Sequence, residues 1–479
     1  MVCLVTIACS SDIKVSKSLN IDAEIFPDYK EVTIPVNIAP LNFTLLDDEG
    51  ADTKLVIEGT QRRIIVDGKD FDIPLHEWRK LLEEEQGHSI SFTVCKKIEG
   101  EWCAYNPFNM NIVSDKIDKY IAYRLIAPGY GIWNKMGIYQ RCLEDNSQSA
   151  IYENKLTDNN CINCHSFPMR NPDKMIFHMR AKHGGTVYVD GGQIEKLNTK
   201  TDKTISALVY PYWHPSGDYI AFSTNKTLQA FFANHANRIE VFDTESDVVV
   251  YNVKINEVIA SPLTMSKTAF ETFPTFSPDG KSLYFCSADS ISPLPERYKE
   301  VHYSLCRIDF HPEDGKFGNK VDTIFNAKEL GKSVSFPRIS PDGRYLAFTL
   351  HQFGNFSIWH RDADINMIDL SNNRVFALNE ANSDDVESYH SWSDNSRWLT
   401  FSSRRIDGLY TRIFFTYIDQ NGHAHKPFLL PQKNPLDYYK ELMFSYNIPE
   451  FIKDKVKVDR HEISTMMRES KGINITFNE

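Results

Sequence analysis

The chain has 479 residues, of which 42% are apolar and 12% aromatic, enough to fill a large core and to exclude an intrinsically disordered protein. Lys and Arg number 53 against 64 Asp and Glu, a net charge of −11. With no basic stripe in the sequence, that balance argues against nucleic acid as a partner and against electrostatic docking on anionic lipid.

At the N-terminus a largely apolar run ends at Ala8, a small residue, and is followed by Cys9-Ser10-Ser11-Asp12. The pattern predicts a lipoprotein. Residues 1–9 would be the remnant of a signal and Cys9 the acylated residue, with lipid the only tie to a membrane. Two features depart from the usual signal: Thr6 stands three residues before Cys9, and no Lys or Arg precedes the apolar run. The competing reading is a short apolar strand. No apolar run reaches the roughly 18 residues of a spanning helix.

Residues 10–30 are polar and read as a linker. From 31 to 104 the pattern is mainly β: Glu31 to Leu46 and Lys54 to Val66 are rich in Val, Ile, Thr and Leu, and Asp67-Gly68 marks a turn. A helix is predicted after Pro74, where Leu75, Trp78, Leu81 and Leu82 recur at helical spacing. This is a small β-rich domain without visible chemistry. Cys95 and Cys103 flank a turn in it, and Cys286 and Cys306 lie on two strand-like runs further on. Each pair suits either a disulfide in an oxidising compartment or two buried free thiols, and Cys142 is left over.

The remainder is repetitive. Tyr210-Pro-Tyr-Trp-His-Pro-Ser-Gly, Phe273-Pro-Thr-Phe-Ser-Pro-Asp-Gly, Phe336-Pro-Arg-Ile-Ser-Pro-Asp-Gly and Tyr389-His-Ser-Trp-Ser-Asp-Asn-Ser are each followed by an alternating strand. A fifth copy is read from Phe167-Pro-Met-Arg-Asn-Pro-Asp, and a weaker sixth through Lys119 to Leu125. Each unit is a strand, a Pro- and Gly-set turn, and further strands, which makes an antiparallel blade. The expected fold is therefore all-β: a six-bladed β-propeller over 105–430. The small N-terminal domain precedes it, and a C-terminal extension over 431–479, with a helical stretch from Leu436 to Phe444, follows and latches it. The repeat resembles that of the TolB family.

The chemistry lies in Asn160-Cys161-Ile162-Asn163-Cys164-His165. Cys-x-x-Cys-His is the attachment signature of a c-type haem: two thiols form thioethers to the vinyl groups, and the adjacent imidazole becomes the proximal iron ligand. Cys161, Cys164 and His165 are thus the candidate cofactor-binding residues and His165 the candidate iron ligand. A thioredoxin-like redox pair belongs at a strand-to-helix turn, and a zinc site needs two further ligands at short spacing, which do not follow here.

The lipoprotein-like start, Cys161-Ile-Asn-Cys-His-Ser-Phe, Phe177-His-Met-Arg-Ala-Lys-His-Gly-Gly-Thr186 and Glu271-Thr-Phe-Pro-Thr-Phe-Ser-Pro-Asp-Gly280 together resemble exported TolB-like propeller proteins with a cytochrome-type motif, found in Bacteroides-type bacteria. The resemblance implies the propeller, one covalent haem c and a place in the cell envelope, periplasmic or at the outer membrane; it implies no substrate.

Aligning Phe167 with Phe273 and Tyr389 sets His165 level with Glu271 and Glu387, at one mouth of the propeller channel. His183, beside Gly184-Gly185, or His178 is the candidate distal ligand, with Met175, Met179, His214 and His390 as further options. The leading function is electron transfer to a protein redox partner in the envelope. The alternative is a non-catalytic propeller scaffold that binds a protein or glycan partner. A hydrolase is disfavoured, because neither a Gly-x-Ser-x-Gly elbow nor a His-Glu-x-x-His motif is present.

Overall fold

A computed structural model describes residues 13–46, 50–128, 135–232 and 237–477. Cys9 and the predicted signal lie outside the described residues. No helix among those described is long and apolar enough to cross a membrane. The chain divides into two compact units. One comprises residues up to 116 together with 144–146 and 428–442, the other residues 117–143, 147–427 and 443–479.

The first unit holds a seven-stranded sheet and a three-stranded one. The helix predicted after Pro74 spans Leu75–Glu84 and buries Trp78, Leu81 and Leu82. Its Trp78 indole donates to the Ile38 carbonyl at 2.9 Å, so a large apolar ring is buried without an unpaired N–H. The expected linker is in part an edge strand, Val15–Asp22, paired in parallel with Glu101–Asn106. Nearly all of its side chains are exposed, so no apolar alternation betrays it in the sequence. The strands Glu101–Asn106 and Phe108–Val113 belong to this sheet, and the second unit starts at 117 rather than 105.

The second unit is a β-propeller. Its six sheets start from the inner strands Cys161–Ser166, Val209–Trp213, Ala269–Phe276, Ser333–Ile339, Glu387–Trp392 and Ser445–Ile452. Each inner strand neighbours the next, and Ser445–Ile452 neighbours Cys161–Ser166, so the ring closes. The weak copy at Lys119 to Leu125 is the second strand of its sheet, Tyr120–Ile126, and the inner strand before it comes from the C-terminal region. Residues 431–479 are therefore divided. The helix Pro435–Glu441 belongs to the first unit, Ser445–Ile452 completes the propeller, and Ile473–Asn474 and Thr476–Phe477 each add a short parallel strand to an outer sheet edge.

All seven described cysteines are free. Strand register explains why the two suggested pairs do not form. Cys95 sits opposite Ala104, with Cys103 opposite Lys96; likewise Cys286 sits opposite Leu305, with Cys306 opposite Phe285. A one-residue offset turns the two thiols to opposite faces of the sheet. Burial pushes the Cys95 and Cys306 thiols up to about 11.

Candidate functional site: a cavity in the propeller channel

Every inner strand breaks at one residue with left-handed backbone: Cys164 (φ 55°), Tyr210 (52°), Phe273 (53°), Phe336 (52°), Tyr389 (51°) and Ile448 (53°). At each break the pairing with the second strand slips, as it does between Asn163 and Ser166 and between Thr272 and Thr275. A bulge of this kind re-aims a side chain, and the left-handed conformation costs a non-glycine residue about 1–3 kcal/mol. Here the four aromatic residues at the break meet one another. Ring centroids lie 4.7 Å apart for Tyr210 and Phe273, 4.0 Å for Phe273 and Phe336, and 4.9 Å for Phe336 and Tyr389. Contacts of this kind are worth about 0.5–1.5 kcal/mol each beyond burial, which offsets part of the backbone strain.

Cys164 and Ile448 hold the other two places in the ring. Both are smaller than an aromatic residue, and on their side the plug leaves a cavity of about 120 Å³. This is room for a few waters or one end group of a ligand, well below the roughly 300–1,000 Å³ of a pocket that swallows a drug-sized molecule. Its walls include Tyr212, Trp213, Tyr389 and Trp392, and Met169, 42% exposed, stands at its edge.

Four polar side chains give this cavity its chemistry. His165 and His390 line it, 3% and 2% exposed; the Ile448 backbone lies by one ring and the Ala347 and Phe336 backbones by the other, but none of the four ring nitrogens makes a well-formed hydrogen bond. Burial, with Arg124 near one ring and Arg338 near the other, holds each imidazole down at about 3, so each is neutral at physiological pH. Half-buried Arg338 stacks over Tyr212 at 5.1 Å, and one of its N–H groups donates to the Pro337 carbonyl at 2.8 Å; it forms no ion pair among the described residues. Glu450 accepts the Phe167 N–H at 3.0 Å, and burial pushes its carboxyl up to about 8. Both tryptophan N–H groups are spent on backbone, Trp213 on Ser166 at 3.3 Å and Trp392 on Arg338 at 3.0 Å.

The structure corrects the repeat alignment. Ser166 pairs with Ile176 as Thr275 pairs with Tyr284, so Phe167 is level with Phe276, not Phe273. His165 is then level with Pro211, Pro274, Pro337, His390 and Pro449. Glu271 and Glu387 fall level with Ile162, three positions from His165. Neither is a solvated rim acid. Glu387 is fully buried and accepts from Arg405 Nη2 at 2.8 Å, from Ser383 Oγ at 2.6 Å and from Ser403 Oγ at 2.8 Å. Glu271 is buried too, with burial first and the neighbouring Asp247 second in pushing its carboxyl up to about 8.

Of the candidate distal ligands, only His390 lines the cavity. His183 binds Asp158 at 3.0 Å, beside Lys182 and Arg468. His178 is buried against Thr186 at 2.9 Å, and Met175 and Met179 fill a blade core. His214 is tied to Ser216 at 2.8 Å and to the Gly280 carbonyl at 3.0 Å.

A c-type haem needs two thiols and an imidazole facing one open space. Cys164 and His165 line the cavity, whereas Cys161 packs, partly buried, against the core that contains Met136, Ile162 and Met179. Cys161 does not line the cavity with the other two, so the residues as arranged do not present both sulfurs and the imidazole to one open space and do not fit a haem bound through both sulfurs. Among the described residues no three His, Cys, Asp or Glu side chains come together to hold a metal ion.

No family model matches the chain, and no curated protein does. Among solved structures it is similar to a periplasmic gluconolactonase from Pseudomonas aeruginosa, 13% identical, over 65% of this chain and 97% of that one, TM-score 0.33. A DUF4784 family protein from Bacteroides caccae is 8% identical over 75% and 96% of the two chains, TM-score 0.31. Dipeptidyl peptidase 4 from Porphyromonas gingivalis is 10% identical over 71% of this chain and 51% of that one, TM-score 0.33. At these values the propeller assignment rests on the six sheets themselves.

Proposed function

We propose that the chain is a binding propeller of the cell envelope, tethered through Cys9, whose channel cavity receives the end group of a ligand. The observation that carries this is an aromatic-walled cavity lined by buried His165 and His390, whose ring nitrogens make no well-formed hydrogen bond within the protein. Unpaired polar groups at such depth are costly, about 1–3 kcal/mol each, and a ligand that pairs them recovers that cost. A fragment screen read by tryptophan fluorescence tests it, because Trp213 and Trp392 line the cavity. Fragments that quench the signal in the native protein and not in Trp213→Phe with Trp392→Phe support the reading. A screen without a single such fragment removes it.

A second reading, a monohaem protein passing electrons to an envelope partner, is favoured by Cys164 and His165 sharing one cavity with His390. A haem would supply a one-electron couple there, and Cys161 would have to turn out of its blade core to join it. Protein made in cells with haem-attachment machinery would gain roughly 0.6 kDa that survives denaturation. An unmodified mass and no haemochrome spectrum eliminate this reading.

A further inference from the structure

We infer that the channel cavity is a carboxylate site, taking the anionic end of a ligand whose flat or apolar body lies between Tyr212, Trp213 and Trp392. The inference rests on the binding reading above and names the ligand chemistry.

The argument starts from Arg338. A guanidinium offers five N–H donors in a planar fork suited to two carboxylate oxygens. One donor of Arg338 is used on its own chain at Pro337, and no carboxylate of the described residues pairs with the rest. Its stem and plane are held by stacking on Tyr212, which fixes the direction of the fork at little further entropic cost. Ser391 and Ser166 line the same space and offer hydroxyls, and the imidazoles of His165 and His390 line it too.

Glu450 would seem to oppose an anion. Burial pushes its carboxyl up to about 8, however, which favours the protonated form that presents an O–H rather than a charge. Arg170, the other cation of the lining, is already bound to Asp394 at 2.8 Å, which leaves Arg338, with Glu450 nearby, as the cation of the lining without an ion pair among the described residues. A cavity of about 120 Å³ accommodates a carboxylate with a ring or short chain behind it and leaves the remainder of a larger ligand outside. The same chemistry is offered by a free organic acid and by the C-terminus of a peptide.

Calorimetric titration of the full chain with benzoate, benzamide, acetyl-Ala-Ala-Phe with a free C-terminus, and the same peptide amidated decides between these. Benzoate or the free-acid peptide should bind at least tenfold more tightly than its neutral counterpart. Arg338→Met should remove that difference, and Arg338→Lys, which keeps the charge without the fork, should reduce affinity about tenfold. The two acids compared with each other identify the source, a free acid if benzoate is preferred and a peptide end if the peptide is. Equal binding of acids and amides at the tryptophan-lined cavity overturns the carboxylate assignment and leaves the binding reading standing. Acid binding that Arg338→Met and Arg338→Lys leave unchanged overturns it as well. Absence of any binding, together with an empty fragment screen, overturns both. If Arg338→Met does not fold, judged by near-ultraviolet circular dichroism, Arg338→Lys carries the test.

Discussion

The inner strands Cys161–Ser166 and Glu387–Trp392 place a histidine at the same repeat position, and only one of them has a cysteine pair before it. In the first, His165 lies against the backbone of Ile448 in the neighbouring blade; in the second, His390 lies against Phe336 in its own neighbour. In the other four inner strands the position is proline. The imidazole of a Cys-x-x-Cys-His sequence thus occupies a place the propeller fills in any case, wedged between blades. What is peculiar to the Cys161 strand is the thiol at the left-handed position, where the Glu387 strand has Tyr389. Exchanging a large ring for a small sulfur opens the channel plug on that side.

The comparison can be pressed hardest at the glutamate two residues before the break. Glu387 is paired with Arg405, so Glu387→Leu leaves a guanidinium stranded and should cost about 3–5 kcal/mol in denaturant unfolding. Glu271, its counterpart, has no such cation partner among the described residues, and burial with Asp247 beside it pushes its carboxyl up to about 8. A carboxyl whose folded value lies above its unfolded one loses stability as pH rises from about 4.5 to 8. Glu271→Gln should therefore melt with the native protein at pH 4 and above it at pH 8, the gap levelling off beyond. Equal losses from the two substitutions would mean that the two blades are alike at this position.

A smaller effect tests the histidines. His165→Pro and His390→Pro restore the residue of the other four strands, and each should be neutral or stabilising by up to about 1 kcal/mol. If His165→Pro alone is damaging, the imidazole has a task His390 does not share. The finest distinction is one of pH. Glu450 faces Arg338, Arg170 and the Phe167 N–H, and it ionises near 8. Benzoate affinity should fall severalfold between pH 7 and pH 9 in the native protein and stay level in Glu450→Gln; parallel curves would exclude Glu450 from the site.

The propeller was legible because Pro-Asp-Gly turns and aromatic alternation recur in the sequence. Register was not, because Phe167-Pro168 imitates Phe273-Pro274 while the true match, Cys164-His165-Ser166-Phe167 with Phe273-Pro-Thr-Phe276, is masked by cysteine and histidine at the two diagnostic places. Ile448-Pro449-Glu450-Phe451 carries the same signal as Phe336-Pro337-Arg338-Ile339 and marks the closing strand, but it lies beyond residue 430, with no Pro-Asp-Gly turn after it. Arg338 and Glu450, which set the charge of the cavity, lie on blades remote in sequence, where no spacing rule connects them.

The strand Ser445–Ile452 has a consequence in time. It pairs with Tyr120–Ile126 across more than three hundred residues, so the ring stays open until residue 452 has been made. Pro449 and Glu450 arrive on that last strand and form one wall of the cavity. A group bound in the cavity would therefore touch the strand that closes the ring, and its binding would stabilise the closed form.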